Sequence, residues 1–129
     1  MINIVIDTNI LVSALWSENS NPYKIMHMLP SNRFTLCFND KILIEYKTVL
    51  SRPAFGFNAS QVDSLLLKIV KFGKNVEVTP SSVKLPDEDD RKFYDTAKEC
   101  NAVLVTGNIK HFPVEKFIMT PKDFLLKYY

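Results

Sequence analysis

The chain has 129 residues, of which 47% are hydrophobic and 23% charged, with a formal net charge of +2; this is the profile of one globular domain spanning residues 1–129, not of a disordered, fibrous or membrane-spanning protein. So small a charge argues neither for nor against a nucleic-acid partner, because local patches decide that. Three glycines exclude glycine-rich linkers. Cys37 and Cys100 lack metal spacing and read as buried free thiols. With neither a leader pattern nor an apolar run near membrane length, the expected location is cytoplasmic.

The first element is Ile2–Ile6, where four of five residues are apolar and β-branched. Such a run predicts a short strand buried on both faces. It stops on Asp7, and apolar Ile10, Leu11, Ala14 and Leu15 then follow at helical spacing over Thr8–Trp16. A carboxylate at that junction lies on the carboxyl edge of a sheet, where open α/β folds bind ligands; capping the next helix is its structural alternative. Ser17–Pro22 has loop chemistry, and a helix over Pro22–Leu29 starts on a proline and is closed by Pro30. Phe34–Phe38 reads as the second strand.

Asn39 and Asp40 cap a helix running to about Ser51, with Ile42, Tyr46 and Val49 as its core stripe; Arg52-Pro53 ends it. Asn58–Phe72 is the clearest amphipathic helix, with Val62, Leu65, Leu66, Ile69 and Val70 on one face. Ser60 and Asp63 resemble a capping box, and Gly73 sits where a C-terminal cap belongs. Val76–Val78 is a short strand, 80–86 a connector, Asp87–Cys100 a helix, Ala102–Val105 a buried strand and Phe117–Met119 an edge strand. A final helix begins at Thr120-Pro121. Strands alternate with helices almost throughout, which predicts a three-layer α/β/α sandwich around a mainly parallel sheet.

Three acids stand out by position. Asp7 ends the first strand. Glu45 borders the Ile42–Val49 stripe, where a carboxylate must find a partner or snorkel to water. Asp90 continues the stripe formed by Phe93, Tyr94 and Ala97, so it lies on the core side of its helix. Its neighbours Asp87, Glu88 and Asp89 are explained by a cap and the helix dipole. Thr106-Gly107-Asn108 follows a buried strand just as Asp7-Thr8-Asn9 does. Convergent carboxylates repel one another unless a cation holds them, and an oxygen-only donor set favours Mg²⁺ or Mn²⁺, ions of phosphoryl chemistry.

Several blocks carry a resemblance when taken in order: Ile4–Ala14, Glu45, Pro86–Ala97, Ala102–Asn108, His111-Phe112-Pro113 and Thr120–Leu125. Together they resemble the PIN domain nucleases, and more narrowly the toxin-component branch akin to VapC. The resemblance implies a PIN-like fold and metal-dependent hydrolysis of RNA by water, which leaves a 5′-phosphate and a 3′-hydroxyl. It makes Asp7, Glu45 and Asp90 the catalytic, metal-binding acids; Thr8 and Asn9 position Asp7 or the water, and Thr106 and Asn108 complete the rim. Asp87, Asp89 and Asp95 rank behind them as further carboxylates. It also implies Mg²⁺ or Mn²⁺ as cofactor, RNA as substrate, a small antitoxin protein as partner, and a homodimer. Many members carry a fourth acid at or just after position 108; the neutral Asn108 puts a tightly held second metal in question. Arg91, Lys92, Lys110 and Lys116 are candidates for the RNA backbone, and Trp16, Tyr23 and Phe55 for base stacking, against the plain alternatives of solvated charge and core packing. Two rival functions stay open. One is a catalytically weak or inactive PIN-fold module for RNA binding or protein docking. The other is a haloacid dehalogenase-type phosphatase, which would want a second Asp where this chain has Asn9.

Overall fold

The computed structural model describes all residues 1–129. Five strands form one sheet: β1 (Ile2–Ile6), β2 (Phe34–Phe38), β3 (Lys74–Asn75), β4 (Val103–Val105) and β5 (Ile118–Met119). Their order is β3-β2-β1-β4-β5 and every pairing is parallel. The expectation of a mainly parallel sheet thus becomes a wholly parallel one. Six helices join the strands: α1 (Thr8–Trp16), α2 (Asn21–His27), α3 (Asp40–Leu50), α4 (Ala59–Phe72), α5 (Arg91–Cys100) and α6 (Pro121–Tyr128).

β1 lies at the centre because its residues can be buried on both faces. Ile4, Val5 and Ile6 point alternately to opposite sides of the sheet, and all three are fully buried. The register pairs Ile4, Val5 and Ile6 with Val103, Leu104 and Val105 of β4. From β1 the chain winds through β2 and β3 on one side, then crosses to β4 and β5 on the other. The strand order therefore reverses between β1 and β4, and their carboxyl ends flank a crevice of the kind that receives ligands. The two edge strands are only two residues long, which limits unpaired edge available to other chains.

Local sequence rules set most boundaries. Asp7, Ser20, Asn39, Asn58 and Thr120 each accept a backbone N–H at the start of a helix. The second helix begins at Asn21 rather than Pro22 and ends at His27, because Pro30 draws Leu29–Ser31 into a separate 3₁₀ turn. The capping box of α4 is Asn58 with Gln61, not Ser60 with Asp63; Asp63 instead pairs with Lys47 of α3 at 2.5 Å. The acidic segment also divides. Glu88–Asp90 is a 3₁₀ turn capped by Asp87, and the α-helix begins only at Arg91.

The stripe of α4 is only partly covered: Val62 and Ile69 are buried, whereas Val70 is half exposed. The third strand lies two residues earlier than Val76–Val78. Its pairing with β2 starts at Lys74, and the Val76 N–H still donates to the Phe38 carbonyl at 2.7 Å. Gly73 explains the shift. It ends α4 in an extended conformation, not in the left-handed one of a glycine cap. A Cβ there would stand 2.5 Å from the Ile69 carbonyl oxygen and 2.6 Å from that of Leu36, so only glycine lets the chain come this close to β2. Cys37 is buried and Cys100 half-buried; both are free, and their thiols face one another between β2 and the end of α5. No helix is long and apolar enough to cross a membrane.

Gly73→Ala should therefore cost at least about 2 kcal/mol in urea unfolding, because two backbone carbonyls must give way. Gly56→Ala should cost about 1 kcal/mol, the price of a left-handed conformation alone, since its φ is 70° and nothing lies within 4 Å of the added carbon. Equal losses at the two positions would contradict this account of β3.

Candidate active site

Asp7 is the first residue past β1, and 7% of it is exposed. Its N–H continues the ladder to the Val105 carbonyl at 3.0 Å, which fixes the side chain at the mouth of the crevice. Oδ1 accepts the Thr8 N–H at 2.8 Å, and Oδ2 accepts the Thr106 hydroxyl at 2.7 Å. Burial pushes the Asp7 carboxyl above the ordinary range, the Thr106 and Thr8 hydrogen bonds pull it back, and the charge of Glu45 raises it again. Thr106 is fully buried and also accepts the Asn108 N–H at 3.0 Å. The Asn9 amide oxygen accepts the Gly107 N–H at 3.4 Å, so the turns after β1 and β4 are tied together. The Asn108 side chain itself is on an exposed residue.

Glu45 is delivered by α3, beside the buried Tyr46. The Tyr46 hydroxyl donates to the carbonyl of Ile6, and its ring stacks on Phe93 of α5 with centroids 6.2 Å apart. The helix carrying Glu45 is thereby anchored to the strand carrying Asp7. Glu45 Oε2 accepts the Thr8 hydroxyl, and Oε1 accepts Lys92 Nζ at 2.7 Å.

Asp90 stands at the junction of the 3₁₀ turn and α5, with 15% of its side chain exposed. Its Oδ2 is buried without a hydrogen-bond partner; the nearest cationic candidate, His111 Nδ1, is 3.8 Å away. Burial, then the charges of Asp7 and Asp87, push its carboxyl up to about 6; His111 opposes the shift and Glu45 adds to it. Residues 7, 45 and 90 therefore occupy one electrostatic neighbourhood, although their carboxylates do not close into a three-ligand cluster as they stand.

The other candidates divide. Asp87 caps its own turn by accepting the Asp89 N–H at 2.9 Å. Asp95 is buried away from the crevice, where its carboxylate accepts the Ser81 N–H and hydroxyl at 2.9 and 2.5 Å. Arg91 is committed to Glu88 and to the carbonyls of Ser81 and Val83, so it holds the connector and is not free for a substrate. Lys110 and Lys116 are exposed. Trp16 packs on Phe55 and Phe57, and Tyr23 stacks on His27. Trp16 closes a helix about 12 Å long that starts at the crevice, which places its own ring at the far end of α1 from Asp7.

Contacts of three residues near the acids escape the sequence reading. Lys92 is aimed at Glu45 rather than at solvent, Tyr46 touches the end of β1, and Thr96 accepts the Asn39 amide at 2.9 Å while donating to the Lys92 carbonyl at 2.6 Å. A polar Thr within the buried Phe93–Ala97 face was the available signal for the last. A cleft of about 490 Å³ adjoins the acids at Lys92, lined by Asn39, Asn75, Glu77, Asp89 and Thr96 among others, but not by Asp7 or Asp90.

Because the Asp90 carboxyl is raised in the folded chain, the fold favours its protonated form. Its contribution to stability is full below the ordinary value of 3.8 and falls as pH rises through about 6. Asp90→Asn should therefore stabilise the metal-free protein by about 1–2 kcal/mol at pH 7, allowing for solvent at its open edge. The gain should vanish near pH 4 in thermal melts. A loss of stability at pH 7 would mean that Asp90 is held by a partner.

Comparison with known proteins agrees with this architecture. A family model described as PIN domain matches residues 3–110. Uncharacterized protein MJ1680 of Methanocaldococcus jannaschii is 27% identical over 139 residues, which cover 96% of this chain and 90% of that protein. Among solved structures, VapBC2 from Rickettsia felis, crystallised with a DNA fragment from its promoter, contains a chain similar at a TM-score of 0.57 and 20% identity. That match covers 84% of this chain and 90% of the other, and speaks for a shared fold. With the parallel sheet, the acid at the end of β1 and a family match over most of its length, the chain belongs to the PIN domain family.

Proposed function

We propose that this chain is a divalent-metal-dependent endoribonuclease, the toxin component of a toxin–antitoxin pair, with Asp7, Glu45 and Asp90 as its acids. The observation that carries the reading is the buried, unpartnered Oδ2 of Asp90, facing the charge field of a buried Asp7. Leaving a carboxylate oxygen out of water with no donor is costly. A cation would remove that cost, and the donor set contains only oxygen, which fits Mg²⁺ or Mn²⁺. Asp7 and Asp90 would hold the ion, with Glu45 beside them.

When bound, such an ion acts as a Lewis acid on a phosphate oxygen and helps to ionise water near neutral pH. The chain's own residues do the rest. The Thr8 N–H and the Thr106 hydroxyl fix both oxygens of Asp7, so the acid cannot rotate away from the crevice. The Thr8 hydroxyl orients Glu45, and Asn9 and Asn108 hold the two turns that frame the opening. Lys110 and Lys116 supply positive charge for the RNA backbone. The toxin setting rests on the fold shared with a chain of VapBC2; a small antitoxin and a homodimer are its expected protein partners.

A second reading has its own support. Asn108 adds no fourth carboxylate, and Glu45 is already occupied by Lys92, as suits a catalytically silent RNA-binding or docking module.

With Mn²⁺ or Mg²⁺ the purified protein should cleave RNA to 5′-phosphate and 3′-hydroxyl ends. Asp7→Asn should reduce the rate by more than about 100-fold, and Thr106→Val by about 10–100-fold, as expected for loss of a ligand and of the group that orients it. Gel analysis of end-labelled RNA decides the matter. Cleavage unchanged in Asp7→Asn would remove the assignment, and no cleavage with either metal would leave the docking module.

A further inference from the structure

Of the three acids, Glu45 alone is ion-paired with a lysine, Lys92. Its ammonium donates to Glu45 Oε1 at 2.7 Å and to the Asp89 carbonyl at 2.5 Å. Its nitrogen lies 5.4 Å from the centre of the neighbouring Phe93 ring, and only 20% of the side chain is exposed. Three contacts on a flexible side chain are more than a solvated surface lysine makes, and its partner Glu45 is only 24% exposed. With the Thr8 hydroxyl on Oε2, both oxygens of Glu45 are engaged. The opposite holds for Asp90, whose Oδ2 has no partner. The site is thus asymmetric: its Glu45 side already holds a lysine ammonium, and its Asp7–Asp90 side has no such ion pair.

Charge arithmetic follows from this asymmetry. Asp7, Glu45 and Asp90 bring three negative charges when ionised, and Lys92 offsets one of them. A single divalent ion neutralises the remaining two. A second would leave the site at +2 with Lys92 in place; without Lys92 the excess falls to +1 and Oε1 of Glu45 comes free, whereas the neutral Asn108 supplies no fourth acid to receive an ion. We propose that the Lys92 ammonium serves, at Glu45, as a built-in second cation, so that the chain holds one divalent ion, on the Asp7–Asp90 side. This rests on the nuclease reading above and deepens it. Lys92 is a positioning residue in that scheme: it fixes Glu45 and sets the number of ions, while its remaining N–H is left for a phosphate oxygen.

Calorimetric titration with Mn²⁺ alone tests it, with no RNA present. Wild type and Lys92→Arg should bind one ion per chain. Lys92→Met, which keeps the aliphatic stem against Phe93, should bind two, and Glu45→Gln in that background should return the count to one. Lys92→Gln serves the same purpose if the Met variant does not fold, which a thermal melt reports. Two ions in wild type, or one ion at unchanged affinity in both Lys92→Met and Lys92→Gln, would overturn the proposal and leave the nuclease reading standing. No Mn²⁺ binding by wild type would overturn the nuclease reading as well.

Discussion

The structure depends on one awkward placement, a carboxylate buried at the end of the central strand. Asp7 is tolerated there because the Thr8 N–H and the Thr106 hydroxyl meet its two oxygens. Those donors exist only if α1 begins immediately after β1 and if β1 pairs with β4 in the observed register. A slip of one residue along β4 would move the Thr106 side chain to the other face of the sheet and leave the carboxylate without its second donor. Fold and candidate site are therefore a single constraint, since the pairing that buries Ile4, Val5 and Ile6 is also the pairing that holds Asp7.

The helix α3 and the 3₁₀ turn before α5 bring the other two acids into the charge field of Asp7, and polar side chains tie these elements together. Tyr46 ties α3 to the end of β1, and Asn39, which caps α3, reaches Thr96 of α5 and the Val76 carbonyl. A buried network of this kind leaves little freedom to its members when all are satisfied. Asp90 is the exception, because its Oδ2 has no donor. The fold thus carries a local electrostatic penalty at Asp90, one that a cation would remove.

Much of this was legible in the sequence. The β-branched run of β1, the caps Asp7, Asn39 and Thr120, and the stop at Arg52-Pro53 are local signals, and the elements that they delimit appear nearly where they point. The spacing that placed Asp90 in one stripe with Phe93 and Ala97 assumed a continuous helix, whereas Asp90 stands in the 3₁₀ turn before α5, with one carboxylate oxygen buried. The misplacements have a common cause in contacts distant along the chain. β3 is fixed by how closely Gly73 approaches β2, which Val76 and Val78 do not reveal. The exposed Val70 reflects how little of α4 its neighbours cover, and Asp95 turns to Ser81 because the connector folds back over α5. Lys92 could not be assigned to Glu45 from sequence, because 47 residues separate them and a lysine in a charged run reads as solvated.

The low net charge of the chain conceals a polarity across the crevice. On the β2–β3 side, the cleft beside Lys92 is edged by Asp40, Glu77, Glu88 and Asp89, with Lys41 and Arg91 among them, and Arg91 is spent on Glu88. On the β4–β5 side, the segment between the strands carries Lys110, His111 and Lys116, and its single acid, Glu115, is engaged by Tyr94 at 2.6 Å and Lys98 at 3.7 Å. Asp7 lies between the two sides because β1 lies between β2 and β4. A polyanion meeting this edge would be drawn along the β4–β5 side and repelled from the β2–β3 side. Near the acids its charge would be opposed unless a cation stood between them.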